Sequence, residues 1–120
     1  MPDPTLQPWL CHITTTAAWQ AAQAEGVYIA SSLAQEGFIH CSYPEQVVAT
    51  AARFFSDQTG LLLLWIRRSL LTAPLRDELV RDHGRFPHLY GPLNLDAIAQ
   101  VSTFTADGQG KFTLPQPPAH

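Results

Sequence analysis

Six consecutive apolar residues, Leu61 to Ile66, follow Gly60 and constrain the fold more than any other stretch of the chain. The run is far short of the roughly 20 residues needed to cross a bilayer. It predicts a central strand buried on both faces, so the other elements must cover a sheet from two sides. With 120 residues, 46% of them hydrophobic, the chain has the size of one domain and can bury a core without disulfide or metal staples.

Period and punctuation predict those other elements. In Trp9-Leu10-Cys11-His12-Ile13, alternation sets Trp9, Cys11 and Ile13 against Leu10 and His12, as in a strand covered on both sides. Thr14, Thr15 or Thr16 caps a helix over Ala17 to Ala24, which Gly26 ends. Val27 to Ala30 is extended, and Ser31 to Gln35 is a single turn capped by Ser32 with Gln35. After Gly37, Phe38-Ile39-His40-Cys41 reads as a strand that runs into a helix over 43–55, opened by a Ser42–Glu45 capping box and Pro44. Val47, Val48, Ala51, Phe54 and Phe55 form its apolar stripe. Leu75 to Val80 alternates as an edge or site-lining strand, with Arg76, Glu78 and Val80 on one face. Phe86 to Leu93 reads as a stiff loop, and Ala97 to Phe104 and Lys111 to Leu114 as further strands. The expected domain spans 9–114, with flexible tails at 1–8 and 115–120. The class is α+β.

A formal charge of −3 sets up no field that would draw the chain to nucleic acid or an anionic membrane, so an anionic ligand must be held locally. Arg67, Arg68, Arg76, Arg81 and Arg85 fall in one stretch and form either such a local device or a solvated basic edge. Cys11 and Cys41 lie in predicted buried strands and are expected as free thiols. Met1-Pro2-Asp3-Pro4 resembles neither a secretory leader nor a lipidation signal, and a cytoplasmic location is expected.

His12, His40 and His88 stand where a buried imidazole needs a partner for each nitrogen. Either each satisfies a core carbonyl, or the three line a site. His12 and His40 end strands that each precede a helix, so in adjacent strands their rings would emerge at one edge, where ligands enter open sheets. Pro87 and Pro92 stiffen the segment that presents His88 and Tyr90. Three imidazoles plus water is also a catalytic zinc arrangement, but no His-x-x-x-His or Cys-x-x-Cys spacing supports it. Cys41 lies on the strand face opposite His40 and reads as a small core residue rather than a nucleophile. The chain has no Walker loop, no Gly-x-Gly-x-x-Gly and no Gly-x-Ser-x-Gly.

With Cys11-His12-Ile13, Gly37-Phe38-Ile39-His40-Cys41-Ser42 and Phe86-Pro87-His88-Leu89-Tyr90-Gly91-Pro92-Leu93 in this order, the chain resembles the bacterial and plant family known as domain of unknown function 952. That resemblance implies an ADP-ribosyltransferase-like fold, similar to RNA 2′-phosphotransferases, with a split and mainly antiparallel sheet around a cleft that holds NAD in active relatives. By position, it assigns the ribose of NAD to His12, the nicotinamide end to His40 and the reacting ribose to Glu78. Glu78 can equally be a surface charge paired with its arginine neighbours. His88 and Tyr90 would close the cleft. The implied ligand is a small nucleotide, NAD first, and the implied reaction is ADP-ribose transfer. A non-catalytic nucleotide or metabolite module and a three-histidine metal-dependent hydrolase remain as other readings.

Overall fold

The apolar run forms the strand it predicts. In the computed structural model, which describes residues 7–118, β4 (Leu61–Arg67) lies between β1 (Trp9–Thr15) and β8 (Ile98–Thr103) in a three-stranded antiparallel sheet. A second antiparallel sheet has the order β3 (Ile39–His40), β6 (Gly84–Leu89), β5 (Leu75–Val80), and β2 (Val27–Tyr28) pairs with β7 (Leu93–Asn94). Three α-helices are found among the described residues: α1 (Thr16–Glu25), α2 (Ser31–Glu36) and α3 (Pro44–Phe54). This is one compact α+β domain with antiparallel sheets. No helix among the described residues is long and apolar enough to cross a membrane.

Both faces of β4 are covered, as a continuous apolar run requires. Leu64 and Ile66 join Leu10, Ala22, Tyr28, Ile39 and Leu89 in one core. Leu61, Leu63 and Trp65 join Trp9, Cys11, Ile13, Val47 and Ala51 in the other, closed by Phe104 and Phe112. The alternation expected along β1 therefore holds. Thr15 caps α1 by accepting a hydrogen bond from the Ala18 amide at 3.1 Å, and Gly26 and Gly37 end α1 and α2 in the left-handed region that glycine tolerates. The outer parts of the expected tails, residues 1–6 and 119–120, lie outside the described residues. Inside them, Pro8 O accepts from the Arg68 amide and Gln116 O from the Gln100 side chain.

Several local expectations are corrected. Residues 84–89 form β6 rather than a loop, with Pro87 in the middle strand of its sheet. The proline is tolerated because its missing N–H lies on the side of β3, where the ladder is ending: Cys41 N–H donates to Pro87 O at 3.1 Å and Pro87 cannot return the bond. Neither expected capping box forms. The N-caps are Ala30 and Tyr43, because Pro44 takes the first helical position of α3 and Ser42 is bonded to β1. Gln46 instead reaches back to accept from the Tyr43 amide at 2.9 Å. Phe54 leaves the buried stripe. It is 61% exposed with Arg53 over its ring, while Phe55, where φ of −131° breaks the helix, packs on the core in its place. Residues 111–114 form no strand, although the Asp107 carboxylate accepts from the amides of Gln109 and Lys111 and holds the turn that leads into them.

These placements separate two substitutions of similar chemistry. Leu64→Ala empties a fully buried position in β4 and should cost about 2–5 kcal/mol in chemical denaturation. Phe54→Ala should stay within about 0.5 kcal/mol of wild type. A large loss at Phe54 would mean that the ring belongs to the core after all.

Candidate functional site

A cleft of about 620 Å³ opens where the two larger sheets part. β1 meets the segment that follows β3 at one bridge, in which Cys11 and Ser42 exchange both backbone hydrogen bonds at 2.8 Å. Continuing that antiparallel register would set Ile13 opposite His40. The strands diverge instead, and the ring of His12 fills the gap: its Nδ1 lies 2.5 Å from the His40 carbonyl. A carbonyl only accepts, so Nδ1 carries the proton and Nε2 is left as the acceptor. The Tyr28 hydroxyl, 2.8 Å away, donates to that Nε2 and is itself 2.9 Å from the Thr14 hydroxyl. Burial, which disfavours the charged ring, lowers the His12 pKa to about 4. His12 is a neutral wedge that ties β1, β2 and β3 together, with both nitrogens engaged.

His88 is built differently. Phe38, His40, His88, Tyr90 and Glu78 share the face of the second sheet that is turned away from the core. Phe38 stacks on His88, with centroids 4.1 Å apart and planes at 17°. Glu78 Oε1 lies 2.8 Å from His88 Nδ1 and also accepts from the Tyr90 hydroxyl. These two donors hold the Glu78 carboxyl below its ordinary range, and the Tyr90 phenol is raised in return by the same bond. Arg76 lies 5.0 Å over the Tyr90 ring. Gly91 lets the chain turn away just after Tyr90, since a Cβ there would stand 2.7 Å from that of Ala73. His88 is 5% exposed, and its Nε2 is buried with no hydrogen-bond partner. His40, on the neighbouring strand with ring centroids 5.5 Å from His88, is exposed and holds Glu36 at 2.7 Å through Nε2.

The three histidines expected at the site do line one cleft, together with Tyr28, Arg53, Phe54, Phe86 and His83. Glu78 and Tyr90 do not line it; they hold His88 from its far side. Of the arginines in the 67–85 stretch, none is in the lining. Arg67 lies over Trp9, Arg76 over Tyr90, and Arg85 donates to the Asp77 carbonyl. The cation at the cleft is Arg53, which its place beside the α3 stripe did not flag. Neither the Glu36–His40 pair nor His83 was signalled by local pattern, because the Gly37 turn into β3 makes the first and only the β5–β6 hairpin brings the second to the cleft. Among the described residues no group of three His, Cys, Asp or Glu side chains is placed to hold a metal ion. Cys11 and Cys41 are buried free thiols, and burial pushes the Cys41 thiol up to about 12.

The family model described as "Protein of unknown function (DUF952)" matches residues 13–101. The crystal structure of protein CC0527 from Caulobacter crescentus is 34% identical to this chain, with 88% of this chain and 94% of that one aligned at a TM-score of 0.80. The solution NMR structure of CC0527 from the same organism, at 34% identity, aligns with 87% and 90% of the two chains at 0.76. None of the curated proteins matches the chain.

The His12 wedge makes stability depend on pH. Its pKa is lower in the folded chain, about 4 against 6.5 for the free ring, so the unfolded chain binds the extra proton between those values. Stability should be fully present above about pH 6.5 and fall by on the order of 3 kcal/mol as pH drops to about 4. Urea unfolding across that window should show the slope in wild type and lose most of it in His12→Gln. An equal slope in both proteins would assign the effect to another group.

Proposed function

We propose, for a chain that belongs to the family of proteins of unknown function 952, that the cleft between its parted sheets binds NAD or a related nucleotide and serves ADP-ribose transfer in an ADP-ribosyltransferase-like fold. The observation that carries this reading is the cleft itself. Its volume falls within the roughly 300–1,000 Å³ of small-molecule sites, and its walls are mainly apolar with a few polar groups, as such sites are. Phe54, Phe55 and Phe86 offer flat faces for a base, Arg53 offers a charge for phosphate, and the hydroxyls of Ser31, Ser32 and Thr50 are at hand for sugar or phosphate oxygens. An antiparallel sheet that splits at one bridge supports the same fold assignment.

In such a site His40 faces the nicotinamide end. Loss of nicotinamide builds positive charge on the ribose, which oriented acceptors around the sugar stabilise. His12 meets the ribose only by exchanging the Tyr28 hydroxyl for a ligand hydroxyl, because its other nitrogen holds the His40 carbonyl. The position of Glu78 behind His88 favours a second reading, a module that binds the nucleotide without cleaving it.

Isothermal titration with NAD, ADP-ribose and AMP tests the proposal. Saturable binding should weaken at least about tenfold, or about 1.4 kcal/mol, in His40→Ala, which alters an exposed ring and leaves the fold intact. No heat with any of the three ligands would remove the nucleotide reading. Binding of NAD without release of nicotinamide would select the non-catalytic module.

A further inference from the structure

His12, His40 and His88 each have a ring nitrogen tied to the protein, and what remains differs. His12 has both nitrogens engaged. His40 is bonded through Nε2 on a ring that is half exposed. His88 alone combines a fixed Nδ1 with a buried Nε2 that has no partner. A buried polar atom left unmatched costs free energy that a ligand atom can recover.

We infer that His88 Nε2 is the proton acceptor of the cleft, receiving a hydrogen bond from a ribose hydroxyl of the bound ligand, and that Glu78 and Tyr90 are positioning residues that set this role. The choice of ribose rests on the nucleotide reading; the acceptor role rests on His88's own contacts. A carboxylate accepts and cannot donate, so Glu78 Oε1 at 2.8 Å draws the ring proton to Nδ1. The lone pair then lies at Nε2, on the atom nothing in the protein satisfies. Tyr90 donates to that same carboxylate oxygen and holds it in place, and Phe38, stacked at 4.1 Å, fixes the plane of the imidazole. A proton on Nε2 would instead bury an unsatisfied N–H against this apolar packing. The charged and titratable groups facing this unit are Glu78, Tyr90, Arg76 and His40. The arrangement is a carboxylate–imidazole pair, in which the carboxylate orients the ring and the far nitrogen handles the proton of a hydroxyl.

Long-range proton–nitrogen NMR of the uniformly labelled protein near pH 7.5 reads the tautomer directly. The free protein should show His88 with a protonated Nδ1 and an unprotonated Nε2. Glu78→Ala should move the proton toward Nε2, whereas Glu78→Gln, which keeps a carbonyl acceptor, should restore the wild-type pattern; a purely structural Glu78 would leave the tautomer unchanged in both. Tyr90→Phe provides a milder variant should Glu78→Ala unfold, and should broaden or partly shift the same signal. Addition of AMP or ADP-ribose should move the Nε2 resonance, and adenine, which lacks ribose, should not. A protonated Nε2 in the free protein overturns the inference, as does saturable AMP binding with no change at Nε2. The expected tautomer with no nucleotide binding supports the acceptor and overturns the nucleotide reading alone.

Discussion

Beyond the Cys11–Ser42 bridge, β1 and β3 no longer satisfy each other's backbone, and the His12 ring accepts the task in their place. A buried carbonyl left without a donor costs about 1–3 kcal/mol, so the parting of the strands depends on a side chain that can reach across it. Histidine suits the gap because one nitrogen donates to the His40 carbonyl while the other accepts from Tyr28. The same bonds require the ring to be neutral, in keeping with its depressed pKa. Pro87 limits the pairing of β3 from the other side, since it accepts from Cys41 and has no N–H to return. β3 is thus a two-residue strand paired with β6 alone, and the cleft lies where it stands apart from β1.

Of the imidazoles lining the cleft, those of His12, His40 and His88 have three different characters, each set by a partner. His12 is a buried strut. His40 is exposed and paired with Glu36, the last residue of α2, where solvent competes for the same atoms. His88 is packed between Phe38 and the Glu78–Tyr90 pair, with one nitrogen anchored and the other unmatched. Identical residue types lining the same space therefore need not share a task. The Arg53–Phe54 end of α3 adds an apolar and cationic rim where the stripe of the helix would otherwise have continued into the core.

Much of the architecture was legible from local pattern. The buried run of β4, the alternation along β1, the Thr15 cap and the glycine stops of α1 and α2 follow from periodicity and backbone chemistry within a few residues. Where reading failed, a distant partner had outbid a local signal. Ser42 met the requirements of a cap, but its backbone is held by Cys11, 31 positions earlier in the chain, and Pro44 moved the helix start by one residue. Pro87 and Pro92 looked like loop punctuation, yet β5 and Cys41 accommodate Pro87 within a sheet.

The sequence by itself determined the α+β class, the doubly buried strand, and the histidines, Glu78 and Tyr90 from which a site is built, because side-chain type and short-range period are written residue by residue. Only the tertiary structure decided what each of them does. Whether a histidine is a strut, a screened surface ring or an unmatched acceptor depends on which atoms lie within about 3 Å of its two nitrogens, and those atoms come from Tyr28, from the His40 backbone and from Glu78, which the fold brings together across 16, 28 and 10 positions of chain.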